Sequence, residues 1–478
     1  MAIAIRQSPP RVHGAVHDVS DRVFGGAVFL YFLGVILPTE LAVNLFGLAL
    51  FPVRIVLLLF FIPAVLQLTK TRDFRLQSFD YFVLLAIVWL LIALSVNNGV
   101  EKGIKYGGSL VLEAAGGYLL ARAYIRNYAQ FANAVRTYFV CVLVAAAFAF
   151  PEAFLKIKFV HGLASSLTGN PDIAVTSEAG RLGLERATST FDHPILYGVF
   201  CATSLGLVWY LYHGRKERWL MAAIIAFATF CSVSSASLLA YAMAVAFIVW
   251  ERYTRGISNR AAITLTCGAI LYAVLEVFSN RTAVEVIIGF IVLDSWTAYY
   301  RVLIWHNALI DLANHPVFGA ALTAWTRPAW MTGSVDSFWL VTALSGGLPT
   351  VSCVVLAVVL LLTKVHQRTG LRETRERWQA RYGWTAAVLA LCFQAFTVHY
   401  WGSMHSLFFF ILGMGAWMTD SRNGLVRDGD KPAAAKTAVA RPGRAPVTRA
   451  PVTRAPVARI PVTGRPGLRP RGRERRGA

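Results

Sequence analysis

Twelve apolar runs punctuate this sequence, and no other feature restricts its fold as strongly. They fall at 24–37, 50–68, 79–96, 104–120, 138–150, 194–212, 219–233, 238–250, 261–278, 338–362, 384–398 and 404–417. A helix needs about 20 predominantly apolar residues to cross a bilayer. In hydrocarbon a segment must also satisfy its own backbone hydrogen bonds, which a helix does unaided. Composition points the same way, with 56% of the residues apolar and only 15% charged, where soluble domains carry more charge. The expected fold is all-α, a polytopic membrane protein of about 12 transmembrane helices.

Basic residues orient that layout. With the amino terminus in the cytoplasm and sides alternating, cytoplasmic loops hold 21 Lys/Arg before the tail and the opposite loops hold 9. Every short cytoplasmic loop then carries at least three, as the positive-inside rule requires. This gives a cytoplasmic N-terminus at 1–22, a transmembrane domain at 23–418 and a basic cytoplasmic tail at 419–478. Long external loops are expected at about 151–188 and 280–337.

The net charge of +21 is no sign of a nucleic-acid partner. From 420 onward the tail carries 15 Lys/Arg against Asp420, Asp428, Asp430 and Glu474, and the rest of the excess flanks apolar runs. The tail repeats Ala445-Pro446-Val447-Thr448-Arg449 from Ala450 and, imperfectly, from Ala455. Regular proline excludes helix, so a disordered strap on anionic lipid is expected, at roughly 1 kcal/mol per basic residue near the surface. All six cysteines fall within apolar runs, without disulfide or zinc-ligand spacing.

Candidate chemistry concentrates in 280–350, where Ser295 to Asn314 reads as one helix ended by Pro316. Arg301 lies on that helix's apolar stripe with Trp305, Ala308 and Leu312, while Asn307 and Asp311 point elsewhere. A guanidinium there needs an anionic partner. Asp294 or Glu285 would make it structural; a phosphate-bearing substrate would make it functional, since the planar fork suits phosphate. Asp336-Ser337 opens the next span, and Asp336 reads either as a helix cap or as a general base for a sugar hydroxyl. Upstream, Arg186 precedes Thr188-Ser189-Thr190-Phe191-Asp192-His193-Pro194, a helix start with Asp192 as cap and Pro194 first in the helix. Arg181 reads as a solvated loop charge, and Arg186 is balanced between that and a site role. His193 and His315 each precede a proline at a helix boundary, where a local structural role is expected. Beyond the first two positions of each run, Asp, Glu, Lys and Arg are few: Arg54, Glu113 and Glu276. No external Asp-x-Asp pair and no Walker-type loop occurs, so neither metal nor cofactor is expected.

Three motifs in order now matter together. Arg186 is followed by Phe191-x-His193-Pro194-x3-Gly198, and Arg301-x3-Trp305-x2-Ala308-Leu309 leads to His315-Pro316-x2-Gly319. Asp336-Ser337, nine residues, then Gly347-Leu348-Pro349-Thr350 completes the set. The region 186–362 thereby resembles the O-antigen ligase / Wzy-type polymerase family, whose pattern has His where this chain has Asp336. The resemblance implies a membrane glycosyltransferase C-like fold with a helical external loop, in the bacterial cytoplasmic membrane. It implies glycan transfer from undecaprenyl diphosphate on the outer face, without metal or cofactor, alongside partner proteins of polysaccharide assembly.

Carried over residue by residue, Arg186 and Arg301 would hold the diphosphate, with Arg327 as a further diphosphate-binding candidate. Asp336 would handle the acceptor, and His193, His315 and Ser337 would make boundary or acceptor contacts. The missing His favours a polymerase of O-antigen or exopolysaccharide repeat units over a ligase. The alternatives are an O-antigen ligase serving a lipid or protein acceptor and, from another class, a lipid-linked glycan flippase or transporter.

Overall fold

The computed structural model of the chain describes residues 13–45, 48–71, 74–172, 180–257, 259–279, 286, 295–320, 325–367, 372–419 and 425–426. Among them every one of the twelve apolar runs coincides with a helix. In chain order these are α1 (His13–Ile36), α2 (Pro52–Lys70), α3 (Ser78–Asn98), α4 (Val100–Tyr124) and α5 (Tyr128–Phe150), which continues into a π turn at Pro151–Leu155. The short α6 (Val160–Thr168) falls within the expected 151–188 loop. Then follow α7 (Pro194–Leu211), α8 (Glu217–Cys231), α9 (Ser235–Thr254), α10 (Arg260–Phe278) and α11 (Ser295–Asn314). The last three are α12 (Phe338–His366), α13 (Arg375–Gln394) and α14 (Ser403–Gly413). Among the described residues six helices are long and apolar enough to cross a membrane, namely α2, α3, α5 with its π turn, α7, α9 and α12.

Local chemistry sets the helix starts. Gln77 and Asp80 form a capping box on α3, Asn127 caps α5 by accepting from Gln130 N (2.9 Å), and Thr374 caps α13 by accepting from Arg377 N (3.2 Å). The α13 cap lies within the basic segment, so the helix begins nine residues before the apolar run at 384. Its charges are met locally: Glu373 pairs with Arg381, and Arg377 donates to the Met418 carbonyl.

At the centre, α7 is buried along almost its whole length against α5, α8, α9 and α13. Around it, α3 packs on α4 and α12, and α4 packs on α2 and α14. The outward faces are apolar. Ile55, Leu58, Leu59, Ile62 and Leu66 form one exposed stripe on α2, and Tyr81, Leu85, Val88, Ile92 and Val96 another on α3. Exposed apolar area of this extent is what a bilayer-facing surface requires.

Two charge clusters are sealed inside. Glu113 of α4 pairs with Arg54 of α2 (2.7 Å) and meets His405 of α14 (3.1 Å), so two of the ionisable groups found in the apolar runs satisfy each other. Asp80 of α3 holds Arg122 and the Tyr118 hydroxyl of α4. No cysteine among the described residues is in a disulfide, and all but Cys267 are at least partly buried.

The turns sort by end. At one end, Thr39 of the α1–α2 turn donates to Asp192 (2.5 Å), Glu40 meets His161 of α6 (2.8 Å), and Asn97 at the end of α3 donates to Phe318 O (2.8 Å). There too, Ser337 donates to Ala395 O (3.0 Å) and Phe338 N to Val398 O (2.9 Å). At another end, Arg126 donates to Thr71 and Arg375 to His213 O. Turns assigned to one side by the charge pattern are thus bonded to one another. Residues 1–12, 280–285, 287–294 and 420–424, and the tail from 427, lie outside the described residues. The expectations for the lipid-binding strap, Asp294 and Glu285 lie there too.

Candidate functional site

The segment 180–193 reaches its position through backbone capture. Glu152, on the π turn after α5, accepts from Thr188 N and Ser189 N, both at 2.8 Å, and Ala187 N donates to Cys231 O (3.0 Å). Ser189 adopts a φ of +57°, a left-handed conformation uncommon outside glycine, and its hydroxyl is tied to Ala145 O (2.7 Å). Pinned on both sides, this stretch buries Arg186, which is 2% exposed.

Asp192 is not the cap of α7. Its carboxylate is taken by the Thr39 hydroxyl, and His193 caps instead, its Nδ1 accepting from Ile195 N (3.1 Å). The neutral ring therefore carries its proton on Nε2.

On α11 the apolar stripe is buried as expected, with Arg301 on it at 6% exposure beside Ile304, Ala308 and Leu312. Asp311 departs from the expectation, being buried and accepting from Thr326 N. Among the described residues Arg301 makes no hydrogen bond or ion pair, and its Nε is buried without a partner.

The start of α12 separates the two roles weighed for Asp336. Ser337 is the cap, accepting from Leu340 N (3.3 Å) while donating to Ala395 O. Asp336 lies one residue before that cap, exposed, and makes no hydrogen bond among the described residues.

These residues converge on two adjoining chambers. One, of about 460 Å³, is lined by Arg181, Arg186 and Arg301 together with Trp296, Tyr300 and Trp330. The other, of about 500 Å³, is lined by His193, His399, Trp401, Tyr106 and Thr397 among others. Ile195, Ser334 and Asp336 line both. Among the described residues the first chamber thus carries three guanidinium groups and one carboxylate. Burial lowers Arg186 to about 10, still charged at neutral pH. Burial also lowers Arg301, with Asp336 opposing the shift and Arg181 adding to it. Burial and then Arg186 push His193 down to about 4, and burial does the same to His399.

The other sequence candidates lie apart. Arg327 donates to the carbonyls of Met331 (3.3 Å) and Trp325 (3.2 Å) and stacks over Trp325, fixing its own loop; it lines neither chamber. His315 is exposed at the end of α11, its carbonyl accepting from Gly319 N (3.0 Å). The turn it begins docks on α12. Leu348 N donates to Pro316 O (2.7 Å), and Trp89 bridges Val317 O and Gly346 O.

Three lining residues escaped the sequence reading. Arg181, expected in solvent, sits with the other two guanidiniums because a two-residue turn pairs it with Leu184. His399 and Trp401 lie on the short connection between the last two apolar runs, where only the density of aromatic and imidazole side chains could have marked them.

Chemically, guanidiniums fixed in a partly enclosed space form a preorganised anion site. The accessible carboxylate at the junction can take a proton from a hydroxyl. Among the described residues no group of three His, Cys, Asp or Glu side chains is placed to hold a metal ion. Neither models of known protein families nor curated protein sequences match this chain.

Proposed function

We propose that this protein is a polymerase of undecaprenyl diphosphate-linked oligosaccharide repeat units, working on the outer face of a bacterial cytoplasmic membrane. The observation that carries the reading is the chamber holding Arg181, Arg186 and Arg301 with Asp336 at its edge. Guanidinium groups brought together beside a carboxylate, two of them buried, are suited to a ligand bearing at least two negative charges, as a diphosphate does. In the transfer, an acceptor hydroxyl gives its proton to Asp336 and attacks the anomeric carbon. The bond from that carbon to the diphosphate oxygen breaks, and the electron pair leaves with the diphosphate, where the guanidiniums meet the growing charge.

The wider frame of this reading is a twelve-span, glycosyltransferase C-like fold with both termini in the cytoplasm. Its support is the charge pattern of the loops and the bonding of like-sided turns at one end. A polymerase rather than a ligase is favoured because a carboxylate stands where the ligase pattern has histidine.

Deletion of the gene tests the function. The strain should accumulate single repeat units on the lipid carrier and lose long glycan chains on a gel. Unchanged long chains would end the proposal, and normal polymer left unattached to its acceptor would point to a ligase.

A further inference from the structure

We infer that the chamber lined by His399 and Trp401 is the acceptor subsite, taking the pyranose ring whose hydroxyl attacks. This inference rests on the glycosyl-transfer reading of the neighbouring chamber. Three observations carry it. First, among the described residues no Lys or Arg lines this chamber and its one carboxylate is Asp336, so they offer no cation to hold a diphosphate. Second, what it does offer is uncharged hydrogen-bonding groups and an aromatic face. Trp401 sits edge-on to the His193 imidazole, with ring centres 5.8 Å apart, and tilted by 48° against that of His399, 5.7 Å away. His399 is half-buried with no hydrogen bond among the described residues, and burial keeps it neutral at physiological pH. Neutral donors and acceptors beside an indole face suit the hydroxyls and the C–H face of a sugar ring.

Third, Asp336 lines both chambers, so a hydroxyl held on this side meets the base on the path to a diphosphate-bound sugar on the other. A cavity of about 500 Å³ also lies within the range of roughly 300–1,000 Å³ that encloses small ligands. In this arrangement Trp401 stacks the acceptor ring and His399 hydrogen-bonds its hydroxyls. Both position the acceptor, and the chemistry stays with Asp336 and the guanidiniums.

The test uses the full-length chain with Trp401→Ala, Trp401→Phe, His399→Gln and Arg301→Lys. Each variant is expressed in the deletion strain for glycan analysis and purified into nanodiscs for binding of undecaprenyl diphosphate. Trp401→Ala should cut polymer formation by about tenfold or more, the worth of one lost aromatic contact near its upper limit. Its binding of undecaprenyl diphosphate should match wild type, and Trp401→Phe should restore most of the polymer. His399→Gln should lower polymer with binding likewise intact, whereas Arg301→Lys should lose both. Wild-type polymer in Trp401→Ala overturns the assignment, and so does a loss of undecaprenyl diphosphate binding as large as that in Arg301→Lys. A wild-type protein that binds no undecaprenyl diphosphate, in a deletion strain with normal glycan, instead removes the function on which the subsite depends.

Discussion

Arg301 combines three properties that rarely coincide: it is buried, it lies on an apolar stripe, and among the described residues it has no ion-pair partner. The fixed fork can meet two oxygens of a diphosphate, which a lysine point charge cannot. Arg301→Lys should lower glycan transfer by roughly 10²–10³-fold with protein level unchanged, the scale of one lost oxyanion donor. Transfer assays on membranes with matched protein would show it, and wild-type rates would make Arg301 structural. Because Ser337 supplies the cap, Asp336→Asn removes the base without disturbing the helix start. Transfer should fall about 10²–10⁴-fold while the thermal midpoint holds. The imidazoles give a pH signature. His193 and His399 are each pushed down from 6.5 to about 4, so between those values the unfolded chain takes up protons that the folded chain refuses. Their contribution to stability is complete above about pH 6.5 and lost as pH falls toward about 4. The thermal midpoint should drop over that window in wild type and drop less in a His193→Gln/His399→Gln variant. Equal slopes would show that the two rings are not held neutral.

At the scale of elements, the nine-residue spacing from Asp336-Ser337 to Gly347 gains a physical meaning. Gly347 sits inside α12 at a φ of +69°, and a Cβ there would lie 2.2 Å from Val317 O. A Cβ on Gly319, at a φ of +73°, would lie as close to Leu344 O, at 2.1 Å. The kink in α12 and the turn after α11 therefore interlock backbone to backbone, which sets how α11 and the start of α12 are held together. Arg301 and Asp336 ride on those two elements. Gly347→Ala adds left-handed strain of about 1–3 kcal/mol plus the clash, so it should lower both the thermal midpoint and glycan transfer. A variant with wild-type midpoint would show that the interlock is not needed. The motifs were visible in the sequence, but their contact was not, because no local pattern says which glycine will meet which carbonyl. The early start of α13 escaped for a related reason: an apolar-run criterion ignores a charged turn whose partners, Glu373 and Met418, lie at its start and across the fold.

For the whole molecule, the question is how charge is kept inside an apolar bundle. Glu113 joins α2, α4 and α14 by holding Arg54 and His405, with no exposed surface of its own. Removing one partner of a buried pair leaves the other uncompensated, at a cost of about 3–5 kcal/mol. Glu113→Leu should therefore lower folded yield and thermal midpoint sharply, and Arg54→Leu/Glu113→Leu should recover part of the loss. A double variant no better than the single would show that the three helices depend on the charge itself. By itself the sequence determined the helical elements and their apolar faces, since a span must bond its own backbone and greasy residues must leave water wherever they stand in the chain. It also singled out Arg186, Arg301 and Asp336, because ionisable groups beside apolar runs are costly enough to need a reason. Only the tertiary structure decided that these three share a cavity, that Arg181 joins them, that Arg327 and His315 do not, and that a second chamber opens on His399 and Trp401. Such neighbours are distant in the chain, and their meeting depends on how helices cross and where backbones can touch.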